Sequence, residues 1–381
     1  MPLRICLLSL LLTLSGIAAA QNIIPEPPSI NATGYLLIDA DTERVLAGTE
    51  VDATLPPASL TKIMTSFVAA GELAAGRISI TDDVPISVAA WRTPGSRMFI
   101  REGTTVSLGE LLKGIVIQSG NDASVAVAEY IAGSEIAFAD MMNQQAQALG
   151  MHASQFQNAT GLPNEGHYTS VRDLATLTRA LINRYPDHYA TYAERSFKFN
   201  DIEQPNRNRL LWRDRTVDGV KTGHTEAAGY CLVASALRDG MRLITVVMGT
   251  TSDEARMRET QKLLKYGFRY FQTQKLYDAD VALKQSEVWF GASDTVALGV
   301  SDLVYVTIPR GRYDDLKATT DVERVIKAPL EQGQELGSLR VTLDDEVVFE
   351  APLVALQAVA EAGFFKRLWH AVYLFFSGLF G

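Results

Sequence analysis

The 381-residue sequence predicts an α/β domain carrying an inserted helical region, followed by a small all-β domain. Three observations lead there. Residues 34–48, GYLLIDADTERVLAG, alternate as strand, turn and strand. Three further β-runs, VDGVKTG, GYCLVASAL and MRLITVVMG, start at Val217 and give way to helical periodicity over 254–271. Helical spacing dominates the stretch between, so strands from both ends of the segment are expected to share one sheet.

Pro25, Pro27 and Pro28 make residues 22–33 an extended lead-in to a β-hairpin at 34–48. Helical spacing then appears at 59–73, at LGELLKGI from Leu108, and at 123–131, 136–149 and 171–182, so the middle reads as mostly helix. Turn signals at His224-Thr225 and Arg238-Asp239-Gly240 separate the three later strands, which are expected to be antiparallel neighbours. These elements assign the first domain to 21–275. After Tyr277 come short runs, VWFG, LVYVTIPRG, LKATT, SLRVTL and EVVFEAPLVAL, broken by Gly and Asp. They assign a β-rich domain to 276–350.

The two ends differ from the rest. Residues 1–20 read as a secretory signal: Arg4, a mostly apolar run from Ile5 to Leu14, and small residues Ala18-Ala19-Ala20 before a mature start at Gln21. That run is too short to span a bilayer. Residues 351–381 are expected to hold an amphipathic membrane-anchoring helix. Phe364, Phe365, Leu368, Trp369, Val372, Phe375, Phe376 and Leu379 recur at helical spacing, with Lys366, His370, Tyr373 and Ser377 on the opposite stripe. Aromatics beside Lys366 and Arg367 suit a helix lying in a membrane interface better than one packed in a core.

Composition excludes several classes. An apolar fraction of 47% marks a globular chain, and the net charge of −9 with scattered basic residues argues against nucleic acid. Cys6 leaves with the signal, so Cys231 has no partner for a disulfide. Neither cysteine sits in a Cys-x-x-Cys pair or among histidines, and no glycine-rich phosphate loop occurs, so no metal and no nucleotide cofactor are expected.

Three short motifs carry the chemistry. Ser59-Leu60-Thr61-Lys62 follows Pro56-Pro57, where a helix should start. Residues three apart share a helix face, so a neutral Lys62 could take the proton of Ser59. Such a lysine needs its pKa lowered. Alone, a serine at a helix start is normally a cap. Ser119-Gly120-Asn121 lies between two helical runs, but Ser29-Ile30-Asn31 has the same form. Lys221-Thr222-Gly223 lies on a predicted strand, where Lys221 offers charge, Thr222 a hydroxyl, and Gly223 close approach for a ligand backbone. Their conjunction, in this order and on a helix, a loop and a strand, is the signature of class A β-lactamases and penicillin-binding proteins.

At these residues the sequence resembles the low-molecular-mass penicillin-binding proteins with serine-type D-alanyl-D-alanine carboxypeptidase activity. PPASLTKIMT, IQSGNDASVAVAEYIAGS, QPNRNRLLW, VDGVKTGHTEAAGY and QKLLKYGFRYF carry the resemblance over nearly the whole mature chain. It implies a β-lactamase/DD-peptidase-like fold that removes the terminal D-alanine from peptidoglycan stem peptides through an acyl-enzyme and is acylated by β-lactams. It also implies a place on the periplasmic face of the inner membrane. By the same resemblance Ser59 is the nucleophile and Lys62 its general base. Ser119 and Asn121 relay protons and hold the peptide, and Lys221 completes the proton network. Thr222 and Arg256 would hold the substrate's free carboxylate. The backbone N–H groups of Ser59 and His224 would form the oxyanion hole.

Rival readings make distinct demands. A Ser-His-Asp triad lacks a Gly-x-Ser-x-Gly elbow and supporting context for His152, His167, His188 or His370. A class A β-lactamase would need a Glu-x-x-Leu-Asn pattern after Ser119, which the sequence does not contain. A D,D-endopeptidase or a non-catalytic penicillin-binding scaffold would share all three motifs.

Overall fold

The computed structural model describes residues 24–380, with side chains to 375. The expected signal at 1–20 and the side chains of Phe376, Ser377 and Leu379 therefore lie outside the described residues. A five-stranded antiparallel sheet is formed by β1 (Gly34–Asp39), β2 (Val45–Thr49), β3 (Val217–Thr225), β4 (Gly229–Arg238) and β5 (Met241–Thr250). Their spatial order is β2-β1-β5-β4-β3. The N-terminal strand pairs directly with β5, from Gly34 opposite Met248 to Asp39 opposite Leu243, joining the two ends of the segment as expected.

The period of two along each strand divides the core into two layers. On β5, Ile244, Val246 and Met248 enter one cluster while Met241, Leu243 and Val247 enter the other; on β4, Cys231 and Val233 oppose Leu232, Ala234 and Ala236. Both faces are covered, so these strands read as nearly continuous apolar runs. The first layer is filled from α1 (Lys62–Ala74), α2 (Asn121–Ala132), α3 (Glu135–Ala148) and α4 (Val171–Arg184). The second is closed by α5 (Asp253–Tyr270) through Met257, Leu263, Leu264 and Phe268. Helix α1 is buried from Lys62 to Ala70, which fixes the start of that helix rigidly beneath the sheet edge.

The middle is less uniformly helical than its periodicity suggests. Strands Asp83–Pro85 and Thr105–Ser107 pair, as do Ser196–Phe199 and Ile202–Pro205. The second hairpin turns through Asn200 and Asp201, at φ 47° and 60°, the left-handed geometry that suits a two-residue hairpin turn and that Asn and Asp tolerate. Strands of three or four residues are too short for their alternation to stand out against helical neighbours.

Two expected boundaries move. The strand Phe271–Tyr277 pairs with Val304–Pro309 rather than with the central sheet, so the β-rich domain begins at 271 and not 276. The last strand, Glu346–Ala355, runs across the boundary expected at 350 and pairs with Glu335–Leu343, and the terminal helix α6 (Phe364–Phe380) starts later than 351. Aromatic and β-branched residues in EVVFEAPLVA favour the strand. The second domain holds a six-stranded and a two-stranded sheet. It is tied to the first through buried Asp39, which accepts from Thr273 Oγ1, and through Thr42 and Thr307, whose hydroxyls lie 2.6 Å apart.

Helix α6 docks on this domain by its polar stripe. Tyr373 stacks on Trp289 with ring centroids 5.4 Å apart, His370 Nδ1 accepts from Phe290 N at 2.8 Å, and Lys366 pairs with Asp294 at 2.6 Å. Phe364, Phe365, Leu368, Trp369 and Val372 are left exposed. Among the described residues no helix is long and apolar enough to cross a membrane.

Candidate active site

Ser59 lies on a 3-10 turn, Ala58–Thr61, that runs directly into α1. The turn places Lys62 Nζ 3.2 Å from Ser59 Oγ, the contact expected from their spacing. Lys62 is fully buried and also donates to Asn121 Oδ1, at 2.6 Å, and to the carbonyl of Thr160. Burial disfavours its charge and lowers its pKa from 10.5 to about 7, against the attraction of Asp122 and Glu135.

The turn is held in an unusual shape. Ala58 has φ 47°, and Gly161, at φ 81°, passes so close that a Cβ there would meet the Ala58 carbonyl. Asn158 shapes the loop carrying Gly161: its Oδ1 accepts from the N–H groups of Thr160 and Gly161 and from Thr160 Oγ1. That loop, with Asn158, Thr160 and Gly161, escaped the sequence reading. Its contribution to Lys62 is a backbone carbonyl, which no side-chain motif announces.

Ser119 follows a π-helical turn, Gly114–Gln118, and adopts a left-handed conformation, φ 66° and ψ 36°, that ends the turn and starts α2. Its Oγ is buried without a hydrogen-bond partner. Asn121, at the start of α2, donates from Nδ2 to Pro94 O at 2.6 Å, which turns its Oδ1 toward Lys62. Asp122 fastens the neighbouring loop by accepting from the N–H groups of Met98 and Phe99, each at 3.0 Å. A carboxylate in the first turn of a helix also complements the helix dipole.

Strand β3 is an edge strand, so one side of its backbone is open to an incoming chain. Lys221 is buried on it, with its pKa lowered first by desolvation and then by the charges of Lys62, Arg256 and Arg207. Thr222, Gly223 and His224 line the cleft, and the His224 ring packs on Tyr230 with centroids 4.0 Å apart. Gly223 has a role beyond the expected close approach of a ligand. A Cβ there would lie 3.2 Å from both Ala58 Cβ and Pro57 O, so the glycine lets β3 pack against the turn bearing Ser59.

Arg256 reaches from the first turn of α5 to the carbonyls of Gly223 (3.0 Å) and Cys231 (3.3 Å), and also pairs with Asp253. It meets Ser59, Ser119, Thr222, Gly223 and His224 in one cavity of about 1050 Å³, whose wall also includes Gln118, Arg207, Arg209, Trp212 and Arg213. Of the nine residues expected from the sequence, six line this cleft, Lys62 meets Ser59, Asn121 meets Lys62, and Lys221 lies buried on β3 next to Thr222. Buried His167 and half-buried His188 lie elsewhere, bonded to Thr61 Oγ1 and Ser66 Oγ, and desolvation pushes the pKa of both down to about 4.

A serine hydroxyl beside a buried lysine of lowered pKa, under an open strand edge, defines a serine acyl-transfer hydrolase. Residues 21–252 match the D-alanyl-D-alanine carboxypeptidase family, and residues 271–361 match the C-terminal domain of penicillin-binding protein 5. The chain is 44% identical to D-alanyl-D-alanine carboxypeptidase DacC of Escherichia coli, over 96% of this chain and 93% of that one. It is 43% identical to DacA of the same organism, over 95% and 92%. Penicillin-binding protein 5 from Haemophilus influenzae, a crystal structure, superposes with a TM-score of 0.86 at 39% identity, over 88% of this chain and all of that one. The chain belongs to the serine-type D-alanyl-D-alanine carboxypeptidase family, with the β-rich C-terminal domain of its penicillin-binding members.

Proposed function

We propose that Ser59 attacks the carbonyl of the penultimate D-alanine of a peptidoglycan stem peptide, releases the terminal D-alanine, and passes its acyl group to water. The contact between Ser59 Oγ and Lys62 Nζ carries this reading. A neutral Lys62 spends its two N–H bonds on Asn121 Oδ1 and the Thr160 carbonyl, leaving its lone pair for the Ser59 proton. Ser119, with its hydroxyl unpartnered beside the cleft, passes that proton toward the leaving amine, and Lys221 keeps the relay electrostatically poised. The N–H groups of Ser59 and His224 receive the oxyanion. Thr222 and Arg256 hold the terminal carboxylate through charge-assisted hydrogen bonds, which selects free carboxyl ends. A β-lactam presents the same amide and carboxylate and acylates Ser59.

Export through residues 1–20 and peripheral attachment through α6 complete the proposal: the catalytic domain works outside the cytoplasmic membrane, and the β-rich domain, 271–361, spaces it from the surface. D-alanine release from diacetyl-L-Lys-D-Ala-D-Ala, with Ser59→Ala as control, tests the chemistry. Release that disappears in the variant supports a Ser59-dependent carboxypeptidase. Penicillin labelling without release would favour an endopeptidase or a scaffold.

A further inference from the structure

The wall of the cleft carries four arginines, Arg207, Arg209, Arg213 and Arg256. Their acidic partners are fewer. Arg213 has its own partner, Glu254, at 2.9 Å in a two-pronged pair. Asp253 is shared: its Oδ1 is held closely by Arg256, while its Oδ2 meets Arg209 at 3.3 Å in an ion pair without hydrogen-bond geometry. Arg207 donates to the neutral Gln118 Oε1. Four guanidinium groups therefore face two carboxylates, in a protein whose net charge is −9.

One positive charge is matched by the terminal carboxylate held at Arg256, under the function proposed above, and another is left over. The surplus is shared between Arg207, which meets no carboxylate among the described residues, and the more loosely held Arg209. The Arg209 side chain is 65% exposed and its single acidic contact is to an aspartate already engaged by Arg256. An exposed pair of this kind contributes little to stability, so the guanidinium can turn to a ligand at small cost. Arg207 stands on the same wall, and the planar fork of arginine suits a carboxylate.

We propose that Arg209, supported by Arg207, forms a second anion subsite that selects peptides carrying a carboxylate in addition to the C-terminal one. That carboxylate could belong to a residue upstream of the scissile bond or to the leaving residue. Both sources present the same chemistry, and the cavity of about 1050 Å³ has room for either. The inference rests on the carboxypeptidase reading and makes Arg209 a specificity determinant, with no part in the covalent steps.

Three peptides test it on the whole protein: diacetyl-L-Lys-D-Ala-D-Ala, the same peptide with succinyl replacing the Nε-acetyl group, and the diacetyl peptide ending in D-Glu. Wild-type enzyme is expected to favour one acidic peptide over the neutral one in kcat/KM, mainly through KM, with the preference shrinking as salt rises. A preference for the succinyl peptide places the carboxylate upstream, and a preference for D-Glu places it on the leaving residue. Arg209→Gln should lower the ratio of acidic to neutral kcat/KM about tenfold, and Arg209→Lys should restore much of it. Equal kcat/KM on all three peptides, or a ratio unmoved by Arg209→Gln, would overturn the subsite and leave the carboxypeptidase reading intact. Absence of turnover on every peptide would overturn both.

Discussion

Gly161 and Ala58 touch so closely that a Cβ on the glycine would lie 1.8 Å from the Ala58 carbonyl oxygen. Both have positive φ, and Ala58 immediately precedes Ser59. Gly161→Ala must therefore shift the turn that carries Ser59, the proposed nucleophile, besides straining its own backbone. The expected result is a loss of about 2–4 kcal/mol of stability and a fall in penicillin acylation larger than unfolding explains. Thermal melts and fluorescent-penicillin labelling at a temperature where the variant remains folded would check it. Labelling at the wild-type rate would show that the contact does not position Ser59.

As the proposed general base, Lys62 should give the site its pH dependence. Acylation needs the neutral amine, so the rate should rise through pH 7 and level off above it, following the lowered pKa of about 7. Lys62→Met should slow acylation by roughly 10²–10⁴-fold. The same shift links to stability. The folded pKa is lowered from 10.5, so between about 7 and 10.5 the unfolded chain binds more protons and stability rises with pH. Below 7 the penalty of burying the charge is fully present. Measured across pH 6 to 10, the stability of wild type relative to Lys62→Met should therefore improve with pH; a constant difference would mean that Lys62 is charged in the folded protein throughout.

Ser119 separates chemistry from stability. Its buried hydroxyl has no partner, so Ser119→Ala removes a polar group whose desolvation is uncompensated. The variant should melt at or slightly above the wild-type temperature, by no more than about 1 kcal/mol in stability, while D-alanine release falls roughly 10²-fold. A destabilised variant with normal release would assign the hydroxyl a purely structural part.

The difference between what the sequence made legible and what it hid follows from which atoms do the work. Ser59, Lys62, Asn121 and Lys221 are readable because the roles proposed for them belong to their side chains and their spacing matches a helix, a helix start and a strand. The sheet was readable because β4 and β5 are long and apolar enough to declare themselves. Thr160 contributes through a backbone carbonyl, and Ala58 and Gly161 through φ and the absence of bulk, none of which leaves a residue pattern. The domain boundary at 271 was hidden because Phe271 caps α5 and opens the next strand without a linker.

Asp39 tests whether the two domains move together. Its carboxylate is fully buried and accepts from Thr273 Oγ1, Thr42 Oγ1 and the N–H groups of Asp41 and Thr42. Thr273→Val withdraws the donor that comes from the second domain and leaves the buried Asp39 Oδ2 without its hydrogen bond, at a cost of about 1–3 kcal/mol. Because that bond crosses the boundary, limited proteolysis near 271–277 should accelerate as the melting temperature falls. An unchanged proteolysis rate would show that the remaining interdomain contacts suffice.

The proposed membrane contact depends on which face of α6 is free. Lys366, His370 and Tyr373 are occupied with Asp294, Phe290 and Trp289, so the stripe of Phe364, Phe365, Leu368 and Trp369 faces outward from the β-rich domain. Burying one such aromatic in lipid stabilises binding by roughly 1.5–3 kcal/mol, or about tenfold or more in affinity. Phe365→Ser and Trp369→Ser should each reduce co-sedimentation with anionic vesicles by about that factor, with no change in melting temperature or D-alanine release. Tyr373→Ala loosens the helix from its domain while sparing the outward stripe, so vesicle binding should persist. Equal loss of binding in all three variants would mean that docking of the helix, rather than its aromatic face, governs attachment.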